Sequence, residues 1–244
     1  MRNGLRYSLL AGFVVSGCVS QVSDHPALQA RLQLGLIYLA QGQLHAAQRN
    51  LQRAQVLAPE DYRTHLAMAR LYQAQGRNDA AAQGYRLALQ RAPHNGYVLN
   101  NYGAFLCGLG QYDAAQQQFR LAGRQLQPGV RADSLENTGY CYLTKGEQEP
   151  ARQALSQAIK VDRHKGMTML TEAERRFGNG EPVLARFLLD VYQHSLPATA
   201  ESVWLEIRFA ALGGRTDDVK RHGERLARNF PQSIQYQHFL ANEY

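Results

Sequence analysis

Residues 102–110 read YGAFLCGLG, and the same arrangement of small, apolar and glycine positions occurs at three other places in the chain. The matching segments are LGLIYLAQG at 34–42, MARLYQAQG at 68–76 and TGYCYLTKG at 138–146. The small second residue of each segment recurs at intervals of 34, 34 and 36 residues, and a glycine follows it seven residues later. A fixed period of this length indicates a stack of similar supersecondary units.

A second set of positions follows each segment with the same spacing. Five residues after each glycine comes an alanine, then a large apolar residue four positions later, and then another alanine. In the third copy these residues are Ala115, Phe119 and Ala122. Small residues let two helices approach closely, large residues fill the space between them, and the glycine makes the turn. This is the pattern of the tetratricopeptide repeat (TPR), a helix–turn–helix unit of 34 residues.

Two further units are degenerate but remain in phase with the first four. We therefore predict an all-α TPR solenoid, a right-handed superhelix of about six repeats with a C-terminal capping helix. The predicted repeats are 28–61, 62–95, 96–129, 132–165, 166–199 and 200–233, the cap is 234–244, and together they form one TPR domain, 28–244. Two extra residues near Pro128 and Gly129 account for the interval of 36.

The first residues of the chain resemble a bacterial lipoprotein signal. Two arginines precede a short apolar run that ends in Val15-Ser16-Gly17-Cys18, and this run is too short to span a membrane. We predict a signal peptide at 1–17, lipidation of Cys18 and a tether at 18–27. Val19 follows the cysteine, and by resemblance to lipoproteins this indicates an outer-membrane protein that faces the periplasm. The alternative is an ordinary signal peptide with an incidental cysteine.

The charge of the chain does not indicate a nucleic-acid-binding protein. The formal charge is +7, and loss of Arg2 and Arg6 with the signal peptide would leave +5. The remaining arginines are spread along the chain without the basic blocks that are typical of nucleic-acid-binding arms. We interpret them as a solvated basic surface.

No motif in the sequence indicates catalysis. The chain lacks HExxH, G-x-S-x-G, GxxxxGK[ST] and CxxC, and its eight histidines are scattered. We therefore expect a binding protein rather than an enzyme, with no cofactor, metal site or small-molecule substrate.

The first helix of each repeat is predicted to line a concave groove. In the first repeat three leucines fall on this face, and an apolar face on a soluble repeat is a candidate site for a protein segment. The alternative is that these leucines pack within their own repeat or against the tether. The predicted partner-binding residues are Gln29, Leu32, Leu36, Leu39, Arg63, Leu66, Arg70, Asn100, Asn101, Asn137 and Tyr140.

Two cysteines remain after Cys18. Cys107 and Cys141 are 34 residues apart and fall on the first helices of neighbouring repeats. The periplasm is oxidising, so a pair within about 7 Å between Cα atoms is expected to form a disulfide. The alternative is two separate buried thiols. We expect the disulfide.

The lipoprotein signal, the short tether and about six repeats together resemble the type IV pilus biogenesis and stability lipoproteins, the PilF/PilW-like pilotins. The resemblance covers the whole chain and includes NNYGAFLCGLGQYDAAQQQF at 100–119. It implies a lipid-anchored outer-membrane protein that binds the pilus secretin and supports its localisation and multimer assembly. The alternative is a periplasmic TPR adaptor for cell-wall enzymes or a protease.

Overall fold

The computed structural model of the protein describes residues 26–244. Within this range the chain forms thirteen α-helices and no strand, and the predicted all-α TPR fold is confirmed. The helices are α1 (Pro26–Ala40), α2 (Leu44–Leu57), α3 (Tyr62–Ala74), α4 (Asn78–Arg91), α5 (Gly96–Gly108), α6 (Tyr112–Ala122), α7 (Val130–Lys145), α8 (Gln148–Val161), α9 (Lys165–Gly178), α10 (Pro182–Ser195), α11 (Ala200–Leu212), α12 (Thr216–Asn229) and α13 (Ile234–Leu240).

The first twelve helices form six hairpins, and the second helix of each hairpin also packs against the first helix of the next. A glycine in the left-handed region ends the first helix of every hairpin, where a residue with a Cβ would be strained. Four helices have a side-chain cap at their N-terminus. Asp61, Asn95, Thr199 and Ser233 accept hydrogen bonds from the first-turn N–H groups of α3, α5, α11 and α13.

The small and large positions of the repeat meet inside each hairpin. A Cβ added to Gly35 would lie 2.3 Å from Leu51 Cδ2, and one added to Gly103 would lie 2.7 Å from Phe119 Cε1. Leu51 and Phe119 are almost fully buried. The small residue is therefore required because the large side chain of the second helix occupies the space beside it.

The two-residue insertion lies between α6 and α7 and packs against the start of α5. Gly96 N–H donates to Gln127 Oε1 at 2.9 Å, and the Tyr97 hydroxyl donates to the Pro128 carbonyl oxygen at the same distance. Gly129 then adopts φ 76° immediately before α7. The insertion thus lengthens one connection without interrupting the stack of hairpins.

The predicted cap contains α13, which packs on α11 and α12. Tyr236 and Phe239 cover an apolar cluster that includes Val203, Ile207 and Leu226. At the other end, Pro26 is the first residue of α1, so the last two residues of the predicted tether are helical. The predicted signal peptide, Cys18 and residues 19–25 lie outside the described residues. Between residues 26 and 244, no helix has the length and apolar character needed to cross a membrane.

Candidate partner-binding groove

The predicted groove residues of the first two repeats line one concave pocket. They come from α1 and α3, at the helical spacing that places residues on one side of a helix. The pocket has a volume of about 470 Å³. Its lining residues are Gln29, Leu32, Gln33, Leu36, Tyr62, Arg63, Leu66, Ala67, Arg70 and Tyr97. We call this pocket the N-terminal groove.

The floor of the N-terminal groove is apolar and its rim is polar. Leu32 is only 7% exposed and belongs to the core between α1, α2 and α3. Leu36 and Leu66 are half-buried, whereas Tyr97 is 43% exposed at the edge. Leu32 therefore both supports the fold and forms the floor, and the half-buried leucines supply the apolar surface open to a partner.

Two arginines of α3 line the groove, and they differ in whether a carboxylate pairs with them. Arg63 Nε lies 3.0 Å from Asp61 Oδ1 and its Nη2 lies 2.6 Å from Asp61 Oδ2. Burial would raise the pKa of Asp61, but its hydrogen bonds from Arg63 outweigh this and hold that pKa below 3.8. Arg70 is exposed and forms no ion pair with any residue from 26 to 244. Among the described residues, the positive charge of Arg70 at the rim of the groove is therefore not paired in a salt bridge.

The predicted asparagines lie outside the pocket and bond within the protein. Asn137 Nδ2 donates to Asn100 Oδ1 at 3.1 Å and links α5 to α7. Asn101 Nδ2 donates to the Tyr97 carbonyl oxygen at 2.8 Å, within its own helix. A partner that used these amides would have to replace the bonds they already make.

The surface of the fourth and fifth repeats is occupied by a network of charged side chains. Lys165 Nζ of α9 lies 2.6 Å from Asp133 Oδ1 and 2.7 Å from Glu136 Oε2 of α7. Burial would lower the pKa of Lys165, but these carboxylates raise it. Burial and the nearby carboxylates, first that of Glu136, raise the pKa of Tyr140 above 10. This part of the concave surface therefore has its charges already paired.

Six of the ten residues that line the pocket are predicted partner-binding residues, and a seventh, Tyr97, falls on the groove side of the third repeat by the same helical spacing. Leu39 packs against the core of the first repeats and does not line the pocket. Gln33, Tyr62 and Ala67 line it without having been predicted. Tyr62 is the first residue of α3 and directly follows the Asp61 cap. In the sequence, an aromatic residue directly after a candidate N-cap aspartate could have indicated that Tyr62 lines the groove.

The structure joins Cys107 and Cys141 in a disulfide, with their Cα atoms 5.9 Å apart. Cys107 lies in the last turn of α5, and Cys141 is 2% exposed in the C-terminal half of α7. The bridge packs beside Leu106 and Phe119 and is separate from the N-terminal groove. It ties the third hairpin to the fourth.

The described part of the chain is a scaffold of packed helical hairpins. From residue 26 to residue 244, no three His, Cys, Asp or Glu side chains are grouped so that they could hold a metal ion. Its TPR scaffold is typical of non-enzymatic proteins that interact with other proteins.

Comparison with known proteins is consistent with this arrangement. Models of the tetratricopeptide repeat match residues 32–96 and 132–165. The type IV pilus assembly protein PilF of Pseudomonas aeruginosa is 29% identical over 252 residues, covering 100% of this chain and 99% of PilF. A solved structure of Pseudomonas aeruginosa PilF is 30% identical, with a TM-score of 0.58, and covers 88% of this chain and 97% of that one. The chain belongs to the PilF family.

This membership confirms the family resemblance expected from the sequence. The solved structure of PilW, a widely conserved type IV pilus biogenesis factor, shares the fold at 23% identity and a TM-score of 0.58, covering 88% of this chain and 99% of PilW. As a PilF-family protein, the chain is a type IV pilus biogenesis protein built from TPRs.

Proposed function

We propose that this PilF-family protein is a pilotin, an outer-membrane lipoprotein that binds the pilus secretin and supports its localisation and multimer assembly. The observation that carries the proposal is the N-terminal groove, an apolar pocket of about 470 Å³ in the first two repeats. These repeats are the part of the solenoid nearest to Cys18 in the chain. A partner bound there would be held close to the proposed lipid anchor.

The groove suits a short apolar segment of the secretin. Leu36 and Leu66 each pack against a core cluster on one side and remain half-exposed at the groove, so each can lose further contact with water when an apolar side chain packs on it. Arg70 at the rim can pair with a carboxylate that flanks such a segment. The expected ligand is therefore an apolar helix or strand of the secretin with an acidic residue beside it.

The rest of the concave surface is less suited to this role. Asp133 and Glu136 are paired with Lys165, and Glu174 forms an ion pair with Arg208 between α9 and α11. An apolar partner would have to desolvate these charges without replacing their bonds. This difference favours the first two repeats over the fourth, fifth and sixth as the docking site.

The proposed outer-membrane location is based on the segment Val15-Ser16-Gly17-Cys18, with Val19 after the cysteine. Two or three acyl chains give stable membrane attachment without a spanning helix. Replacing Cys18 with Ala is expected to abolish labelling by a fatty-acid analogue and to change the fraction in which the protein is found. Unchanged lipid labelling of this variant would contradict the anchor.

The role is tested by deleting the gene and restoring it with variants. We expect the deletion to remove secretin multimers and surface pili, and the wild-type gene to restore both. Leu36→Glu with Leu66→Glu places charge on the groove and is expected not to restore them. The matched control is Val183→Glu with Leu212→Glu, two exposed apolar residues on α10 and α11 that lie outside the groove.

Two outcomes would contradict the proposal. Secretin multimers that persist in the deletion strain would exclude a pilotin role. Full restoration by the groove variant, at wild-type protein levels, would exclude the N-terminal groove as the docking site. Co-purification with peptidoglycan hydrolases or a protease instead of the secretin would favour the periplasmic adaptor.

A further inference from the structure

A second surface lies at the N-terminal end of the solenoid, where no hairpin precedes α1 and α2 among the described residues. It is a shallow groove of about 570 Å³ between the two helices. Its lining residues are Ala27, Arg31, Arg49, Gln52, Arg53, Val56 and Leu57. We call it the end surface. It shares no residue with the N-terminal groove.

The end surface exposes apolar side chains that a preceding repeat would cover in a longer array. Val56 is 83% exposed and Leu57 is 46% exposed. On α1, by contrast, Leu28 is completely buried. The end of the solenoid therefore combines a well-packed inner side with a partly apolar outer side.

The same surface carries three arginines that form no ion pair with any described residue. Arg49 and Arg53 are exposed and form no ion pair with any residue from 26 to 244. Arg31 Nη1 donates to the neutral Asn50 Oδ1 at 3.0 Å and forms no ion pair within the same range. No Asp or Glu occurs from residue 26 to residue 59. Three positive charges and an apolar groove together suit a surface that is anionic and has an apolar layer beneath it.

The position of Cys18 limits how far this surface can be from a membrane. The eight residues 18–25 span at most about 28 Å at about 3.5 Å per residue. The chain then enters α1 at Pro26, next to Ala27 of the end surface. If Cys18 carries lipid, the arginines of the end surface are the cations that the chain first presents near the bilayer.

We propose that the end surface docks on the anionic phospholipid surface to which Cys18 is anchored. The proposal rests on the lipid anchor of the proposed function and adds a second point of attachment, since an acyl anchor and a basic patch act together. Arg31 and Leu36 project from α1 about 140° apart. The N-terminal groove therefore remains open to its partner while the end surface lies on lipid.

A second copy of the chain is a poorer occupant of this surface. Two copies that met end to end would bring six arginines together with no carboxylate from α1 or α2 between them. Like charges held in contact oppose association. Phosphate headgroups instead supply the opposite charge over the whole surface, without requiring a particular side-chain arrangement.

The test uses the mature lipidated chain in vesicles of phosphatidylethanolamine with phosphatidylglycerol. A fluorophore on Val56→Cys reports contact through quenching by spin-labelled lipid, and the same fluorophore on Val183→Cys, on α10, is the reference. Labelling without reductant leaves Cys107 and Cys141 bridged. We expect quenching at position 56 to exceed that at 183, and to fall in phosphatidylcholine vesicles or at high salt.

The charge requirement is tested in the same vesicles with Arg49→Gln and Arg53→Gln. Loss of two cations is expected to lower the ratio of docked to undocked chain about thirtyfold. Arg86→Gln with Arg120→Gln is the matched control, since both arginines are exposed on other hairpins, and it is expected to leave docking unchanged. Equal quenching at 56 and 183, or equal loss in both double variants, would overturn the proposal.

Two further outcomes separate this inference from the proposed function. Cross-linked pairs through position 56 without lipid quenching would identify a second copy as the occupant and overturn lipid docking. If the purified chain carries no lipid, the proposed lipid anchor at Cys18 is wrong, but docking of the end surface can still be tested. The end surface would then be judged by flotation of that chain with the same vesicles, where about thirtyfold weaker binding of the Arg49→Gln, Arg53→Gln variant supports docking and equal binding overturns it.

Discussion

Phe239 of the capping helix lies directly over Gly223 of α12. A Cβ on Gly223 would come within 1.9 Å of Phe239 Cζ. In the earlier repeats this position of the second helix carries a large residue, such as Leu189 in the fifth. Ile207 takes the place of the small residue on the first helix of the last repeat. Because glycine stands where the other repeats have a large residue, the second helix of the last hairpin leaves room for Phe239 of the capping helix.

Gly223→Ala is therefore expected to displace Phe239 and to lower the free energy of unfolding by about 1–3 kcal/mol. Replacing Phe239 with Leu in the same chain should recover part of this loss, because the smaller side chain leaves room for the methyl group. The measurement is urea unfolding followed by circular dichroism. Gly178→Ala is the control, because no atom lies within 4 Å of its added Cβ. Equal stability of Gly223→Ala and wild type would contradict this account of the cap.

The disulfide between Cys107 and Cys141 closes a loop of 34 residues between two hairpins. On the chain-entropy model such a bridge stabilises the fold by about 3–4 kcal/mol. Replacing both cysteines with alanine is expected to lower the free energy of unfolding by this amount. Thiol titration of the denatured, unreduced chain lacking Cys18 checks the bridge independently. Two free thiols per chain would contradict it.

The repeat pattern predicted most of the fold because each turn and each close contact is encoded locally. Gly42 and its equivalents have positive φ, and Gly35 faces Leu51 within one hairpin. The last repeat was harder to interpret because Gly223 can be understood only together with Phe239, which belongs to a later helix. A contact between a hairpin and the capping helix is not repeated along the chain, so it leaves no periodic spacing in the sequence.

The candidate site was predictable as a face of a helix but not as a set of exposed atoms. Helical spacing placed Leu32 and Leu36 on the concave side, whereas their different burial depends on how α3 packs against α1. Lys165 lies 29 residues after the Glu136 that it neutralises. The repeat pattern did not predict the end surface. Its apolar residues, such as Val56, are exposed because no other described hairpin packs on α1 and α2 from that side.

The different burial of the two groove leucines can be measured. Leu32→Ala is expected to lower the free energy of unfolding by about 2–4 kcal/mol, since a nearly fully buried leucine leaves a cavity. Leu36→Ala is expected to cost about 1 kcal/mol or less, because Leu36 is already partly in contact with water. Urea unfolding of both variants provides the comparison. Similar small losses would show that Leu32 does not belong to the core.

The ionised Asp61 side chain at the start of α3 is expected to stabilise the fold in a way that depends on pH. Its pKa is lowered in the folded protein, so its stabilisation is present above about pH 4 and is lost as the pH falls through the folded pKa. Asp61→Asn keeps a capping oxygen and removes the charge facing Arg63. At pH 7 the variant should be about 1 kcal/mol less stable, and near pH 2 the difference should disappear. A difference that does not change with pH would exclude the ionised pair as its cause.

Binding of the pilus secretin in the N-terminal groove can be measured as the affinity of the purified chain for the purified secretin. Leu36→Glu with Leu66→Glu is expected to weaken binding about tenfold to a hundredfold, since burying the half of each leucine that is still exposed contributes about 0.75–1.5 kcal/mol. Val183→Glu with Leu212→Glu should bind like wild type, and all three proteins should show the same helical circular dichroism. Equal affinity of the groove variant and wild type, with folding intact, would contradict the account.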